Sequence, residues 1–381
     1  MTLEHASESS REAGWQALGM LYHNFFSGLI LSLSSREGHD VVGDWSFNLF
    51  RRQHHEKFLS SFDKLGLTGL PHAVAAARYH FLSNRIGGVA VEYVEESETK
   101  AWIRFPHPRW IYMGTAICGI PDTVGQGYVH GWYGHNGVSL ENPNLGFVCT
   151  SQDTHAGHGF SGYFMEYDHE LSADERARFV DGEIMPQFDP DRAPTLDSNI
   201  WTKARLDKAR RNYAMEYIRN GLTELIPMIG ADRTCAVGNI TAQLIGRQFY
   251  PEVMEILGLD STDRSLSAFS RFMTAMAVAH DDEVVISHDG SGMTITQTGW
   301  RLTRGMADLP PVIFDVWNAL WEGCLCAHDR MRCLAVVLSV CGVKDTPQLV
   351  TTEIADSLDG IAQHSLASGD NVNVFRGHVF G

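Results

Sequence analysis

The sequence predicts an α+β fold of two similar units, each an antiparallel sheet packed with helices, the pair arranged as a pseudo-dimer. Three observations predict it. The same order of patterns occurs twice: LYHNFFSGLI, HHEKFLSSFDKLGL and AARYHFLSNRIGGVAVEYVEESETKAWIRF return as NYAMEYIRNGL, RQFYPEVMEILGL and FSRFMTAMAVAHDDEVVISHDGSGMTITQ. The spacing between copies is nearly constant, at 191 residues for Tyr22 and Tyr213, 192 for Leu65 and Leu257, 193 for Arg78 and Arg271 and 189 for Trp132 and Trp321. That is the signature of an internal repeat. Within each copy a helical period of three and four gives way to strand alternation, the mixture that sets helices against an antiparallel sheet.

The elements of the first copy follow in order. Residues from Glu12 to Leu33 and from Trp45 to Leu65 carry apolar side chains at helical spacing. Pro71 opens a third helix that ends near Gly87 and Gly88. GGVAVEYVEESETKAWIRF alternates around a polar Glu-Glu-Ser-Glu-Thr turn, a half-buried hairpin that Pro106 and Pro108 stop. A helix after Pro121 and Asp122 runs through Trp132 to about Ser139, where Asn142-Pro143-Asn144 breaks it. LGFVCTSQ and GFSGYFMEY form a second hairpin across DTHAGH. Residues 1–180 thus form the first unit, the Pro- and Asp-rich 181–200 a linker, and 201–381 a second, degenerate unit.

Composition narrows the function. A 381-residue chain with 44% hydrophobic residues buries a substantial core. A net charge of -16 with only 30 Lys and Arg argues against nucleic acid as a partner. No apolar run reaches the roughly 18 residues that span a bilayer, and the best candidate, Phe25 to Leu33, is interrupted by Ser27 and Ser32, so no membrane partner is expected. The polar start MTLEHASESSREAG lacks the features of a signal peptide. Seven cysteines without a pair of Cys-x-x-Cys motifs point to reduced thiols in the cytoplasm. Walker, Rossmann, His-Glu-x-x-His and Gly-x-Ser-x-Gly motifs are missing, so no cofactor is predicted. The expected partner is a small-molecule substrate, with homodimerisation of the fused chain left open.

Four segments, LGL at 65–67, FPHPRW at 105–110, GYVHGWYGHNG at 127–137 and ENPNLGFVCT at 141–150, together resemble the L-2-amino-thiazoline-4-carboxylic acid hydrolase family and, more distantly, the 4-vinyl-reductase type of small-molecule-binding domain. The resemblance covers most of residues 15–170 and returns more faintly over 205–340. It implies a hydrolase acting on a C–N bond of a small cyclic or amide-like molecule; the alternative is a non-catalytic sensor or carrier. The chain departs from the family pattern where Pro106-His107-Pro108 replaces Cys-Pro and where the helix of the first unit lacks a cysteine.

The candidate chemistry sits on that helix. At about 100° per residue, Trp132, His135, Asn136 and Ser139 share one face, whereas His130 lies about 140° from His135 and is a poor co-ligand for it. His135 would act as general base on a water, Asn136 would donate to the developing negative charge, and Trp132 would form a wall. The plainer reading is a histidine bonded to a carbonyl and a core tryptophan. In the second copy Cys324 and Leu325 replace His135 and Asn136, which assigns the chemistry to the first unit. Glu166 is a third catalytic candidate, but strand alternation sets it opposite Tyr163 and Tyr167, so only one of those sets can line a pocket. Arg104, beside Trp102, would hold a substrate carboxylate or serve as an edge-strand charge. Trp132, Arg104, Tyr163 and His130 make up the substrate-binding set.

His155 and His158, with Glu166, Asp168, His169 and Glu170 following, would suffice for zinc or manganese. A glycine-rich hairpin loop also gathers polar residues without any ligand, and no metal is assigned. In the second copy the groups from His280 to Glu283 and His288-Asp289 read as solvated hairpin ends. Cys326 and His328, two apart on a helix, do not face each other.

Overall fold

The computed structural model describes residues 8–106, 109–154, 159–289, 292–299, 301–304, 312–340 and 349–355. The chain divides into two compact units: a first of Phe26–Tyr213 with Thr223–Met228, and a second of Met1–Phe25, Ala214–Leu222 and Ile229–Gly381. Both are mixed α+β.

The described residues open with α1 (Glu8–Arg36) and continue, after Gly38, as α2 (His39–Lys57), α3 (Phe62–Leu65) and α4 (His72–Ile86). The first hairpin is β1 (Glu92–Ser97) and β2 (Lys100–Arg104). Then follow α5 (Asp122–Gly131), the single turn α6 (Asn136–Ser139), β3 (Leu145–Ser151), β4 (Ser161–Glu166) and β5 (Ala177–Phe179). The strand order is β1-β2-β4-β3-β5. The sheet is antiparallel except for β5, which runs parallel to β3 and makes it mixed. On one face of this sheet, Phe147 and Phe164 pack with Tyr133 and His80. On the other, Trp102, Val148 and Tyr163 are covered by Met185 and Phe188. The stretch 181–200 expected as a linker therefore contributes cover to the first unit. Its apolar residues alternate with the prolines and aspartates that suggested a spacer.

The later elements are α7 (Lys203–Ile229), α8 (Ala231–Ile256), α9 (Leu266–His280), β6 (Glu283–Asp289), β7 (Gly292–Thr298), α10 (Val312–His328), β8 (Cys333–Val340) and β9 (Leu349–Ala355). Their sheet, β6-β7-β9-β8, is antiparallel throughout. Unit boundaries fall inside α1 and α7. At 1.5 Å per residue the 29 residues of α1 span about 44 Å, longer than the core of one small domain.

The Leu-Gly-Leu stops have one geometry in both halves. Gly66 (φ +66°) and Gly258 (φ +67°) adopt the left-handed conformation that glycine tolerates. The following amides of Leu67 and Leu259 then bond back to Phe62 O (3.0 Å) and Met254 O (2.8 Å), closing each helix end. Residues 10–36 of α1 are long and apolar enough on average to cross a membrane, although 56% of the critical window is buried within the protein. Leu18, Leu21, Tyr22, Phe25, Phe26, Leu29 and Leu33 are all core residues. The six described cysteines form no disulfide.

Candidate functional site

In the first unit α2 and α5 cross with their backbones in contact because glycines stand at the crossing. A Cβ on Gly127 would lie 2.4 Å from Gly43 O, and one on Gly131 would lie 2.6 Å from Phe47 O. Ser46 Oγ donates to Val124 O at 2.8 Å across the same seam. Beside the crossing lies an open groove of about 830 Å³, lined among others by Phe47, Arg51, His130, His135, Asp174 and Arg176. Gly43, Phe47, Arg51 and His55 recur every four residues and so lie along one side of α2.

Arg51 donates from Nε to Gly131 O (2.9 Å) and from Nη2 to His130 O (3.1 Å), and its guanidinium stacks over Phe47. It thus places a cation at the carboxyl end of α5, where the helix dipole favours one. Burial, followed by the charge of Arg176, lowers the pKa of Arg51. The Arg176 side chain has no hydrogen bond or ion pair with another described residue. Burial also lowers the pKa of His135, to about 4, assisted by Arg51, His55 and Arg176. His130 is lowered by burial and partly restored by Asp174. Both imidazoles are therefore neutral near pH 7.

The helix expected through Ser139 stops at Gly131. Residues Tyr133–His135 tighten into a 3-10 turn before α6. A face computed at 100° per residue does not survive this change, and His130 and His135, expected to diverge, line the same groove. Trp132, His135 and Ser139 nevertheless converge on one side chain, His54 of α2. His54 Nε2 and Ser139 Oγ share a hydrogen bond of 2.9 Å. The His54 ring meets those of Trp132 and His135 edge-on, at 5.9 and 5.2 Å. Burial, with the neighbouring histidines and Arg51, lowers its pKa to about 2.

The structure sends the other candidates elsewhere. Asn136 is fully buried and donates from Nδ2 to His80 Nε2 at 3.0 Å, so it does not face the groove. His80 stacks on Tyr133 with centroids 4.1 Å apart, and burial lowers its pKa to about 3. Glu166 accepts from Ala73 N (3.2 Å) and Asn142 Nδ2 (2.9 Å), capping the start of α4, where the N-cap residue Pro71 has no side-chain donor or acceptor. Arg104 pairs with Glu92, its cross-strand neighbour. The Tyr163 hydroxyl donates to Glu183 at 2.9 Å on the covered outer face of the sheet. Neither Glu166 nor Tyr163 lines the groove.

A second buried polar cluster lies in the same unit. Arg109 Nε donates to Asp153 Oδ2 at 3.1 Å with both side chains buried, and the guanidinium lies 4.0 Å from the centre of the Tyr128 ring. Asp153 Oδ1 and Gln152 Oε1 are buried without a hydrogen-bond partner among the described residues. His155 and His158 fall outside the described residues, so the loop they would form is not described. Among the described residues no group of three His, Cys, Asp or Glu is placed to hold a metal. Arg51 and Arg176 beside His135 also make that end of the groove a poor cation site.

In the second unit, His280 and Asp282 are not solvated ends. His280 bonds to the Tyr22 hydroxyl and to Met276 O. Asp282 is 4% exposed and accepts from Arg301 N (2.7 Å) and Gln297 Nε2 (2.9 Å), and burial raises its pKa to about 7. His328 engages Tyr250 and Ser265 through its two ring nitrogens, not Cys326.

Sequence reasoning missed Arg51, His54 and Arg176. The four-residue recurrence from Gly43 to His55 was a usable signal for Arg51, whereas His54 lies one residue off that series. Arg176 sits in a turn with no pattern to betray it. Comparison of the chain with protein-family models, curated proteins and solved structures returns no match.

Proposed function

We propose that the chain is a tandem duplication whose first unit has kept a small-molecule site, and that it hydrolyses a C–N bond of a small cyclic or amide-like molecule in the groove between α2 and α5. Duplication is supported by the matching strand orders β1-β2-β4-β3 and β6-β7-β9-β8 and by the matching Leu-Gly-Leu stops. It is also supported by a second glycine-lined crossing, in which a Cβ on Gly246 would lie 2.2 Å from Leu320 O. Leu320 follows Gly131 by the same 189 residues that separate Trp321 from Trp132.

The observation that carries the active-site reading is the neutral imidazole of His135 in a groove with two guanidiniums. A water bonded to His135 attacks the sp² carbon of the C–N bond and passes its proton to the ring. The guanidiniums steady the oxyanion, taking the part expected of Asn136. The imidazolium then protonates the departing nitrogen. Hydrolysis itself is what the family resemblance implies.

The test is turnover of a panel of small amides and cyclic amidines by the purified chain, followed by mass spectrometry. His135→Ala should abolish turnover while leaving the fold intact, and full turnover in that variant would remove His135 from the mechanism. The second reading, a carrier that binds without turnover, is favoured by the withdrawal of Asn136 and Glu166 into structural bonds. Recovery of a ligand chemically unchanged after long incubation would select it.

A further inference from the structure

The two guanidiniums of the groove are poorly matched by their surroundings. Arg51 is fixed by the carbonyls of His130 and Gly131. Arg176, only partly exposed, makes no ion pair with a described residue, and it lies close enough to Arg51 and His135 to act on both electrostatically. Half-buried like charges repel one another more strongly than they would in water. In a chain of net charge -16, a carboxylate partner is easily supplied. Asp40, Asp44 and Asp174 do line the groove, yet none forms an ion pair with either arginine.

We propose that Arg51 and Arg176 form a clamp for a dianionic group, a phosphoryl group or a pair of carboxylates, on the small molecule that the groove takes. The proposal rests on the groove being the ligand site. Arg176 presents a planar fork suited to two anionic oxygens, and Arg51, whose Nε and Nη2 donate to backbone carbonyls, keeps its Nη1 end for one; a single negative charge would leave one of the pair uncompensated. The neutral imidazoles of His130 and His135 add N–H donors without adding charge. Two arginines in a groove of this size suit a compact ligand rather than a polymer, whose phosphates call for an extended basic face.

The clamp also has a consequence for catalysis. Burial is the larger cause of the low His135 pKa, of about 4, and an anion between the guanidiniums offsets the smaller part that Arg51 and Arg176 add, moving the imidazole up toward the range in which it works as a base. Ligand binding thereby readies the base.

Calorimetric titration of the full chain at fixed ionic strength with inorganic phosphate, malonate and acetate tests this. Phosphate or malonate should bind at least about tenfold more tightly than acetate, and which of the two is tighter identifies the group. Arg176→Ala should weaken the tighter dianion by about ten- to a hundredfold, the usual worth of a charge-assisted contact. Arg178→Ala, two residues away and stacked on Tyr167, should leave binding unchanged. Dianions no better than acetate, Arg176→Ala titrating like the parent, or equal losses in both variants would each overturn the clamp. Dianion binding lost in Arg176→Ala, without hydrolysis of any C–N compound, would retire the hydrolase and keep the clamp. Hydrolysis that persists in Arg176→Ala, with phosphate and malonate binding that variant as they bind the parent, would overturn the clamp and leave Arg51 alone to steady the oxyanion.

Discussion

The crossing of α2 and α5 builds the groove, and Gly127→Ala probes it most sharply. An alanine Cβ there would sit 2.4 Å from Gly43 O, 2.9 Å from Phe47 N and 3.0 Å from Ser46 Cβ. Two of those three neighbours are backbone, so no rotamer change relieves the clash and α2 must move away. With backbone atoms in the way the cost falls in the upper part of the overpacking range, about 2–3 kcal/mol, against which alanine returns roughly 1 kcal/mol of helix propensity. The net loss is about 1–2 kcal/mol, or roughly 2–8 °C in Tm for a unit of this size. Gly19→Ala is the matched control: its Cβ meets nothing within 4 Å in α1, and propensity alone should stabilise the protein by about 0.5–1 kcal/mol. Scanning calorimetry with urea denaturation reads both. A Gly127→Ala protein as stable as its parent, with the Gly19→Ala gain observed, would refute the close backbone contact and the groove geometry that depends on it.

Two further outcomes follow from the buried charges. Asp153→Asn leaves Arg109 in its aromatic box without its counter-charge, which should cost about 3–5 kcal/mol in urea unfolding; a loss below about 1 kcal/mol would mean the pair is solvated. Acid should destabilise the fold. His54, His80 and His135 have folded pKa values of about 2, 3 and 4, below that of an unfolded imidazole. Between about pH 6.5 and 4 the unfolded chain therefore binds more protons than the folded one, and stability falls as pH falls. Asp282, raised to about 7, acts in the opposite sense, since its protonated folded form gains stability as pH drops from 7. Asp282→Asn should thus steepen the fall of the urea midpoint between pH 7 and 5, and a midpoint that rises on acidification would contradict these assignments.

Much of the architecture was readable because it is periodic. The three-and-four spacing of α1 and α2, the alternation of the β1–β2 hairpin and the Leu-Gly-Leu stops are local patterns that tertiary packing reinforced. What failed was either too short or too distant to leave a pattern. The three residues of β5 carry no periodicity, and the glycines at 131, 134 and 137 allowed the chain to leave the helical path on which the face of Trp132, His135 and Asn136 had been computed. His54 is one of two adjacent histidines on α2, with nothing local to tell them apart. Its burial comes from residues about 80 positions away on another element. Arg109 and Asp153, 44 residues apart, meet only in the fold, and Asp282 seemed solvated because a turn sequence beside it hid the cover supplied by Arg301 and Gln297.

The central claim is that His135 stands neutral beside two guanidiniums, and its own titration measures that most directly. With His135→Ala used for assignment, the ring C2 proton followed by NMR in the full chain should titrate near pH 4, and Arg176→Ala should move the midpoint upward. Titration at the ordinary imidazole value near 6.5, with no response to Arg176→Ala, would contradict the account.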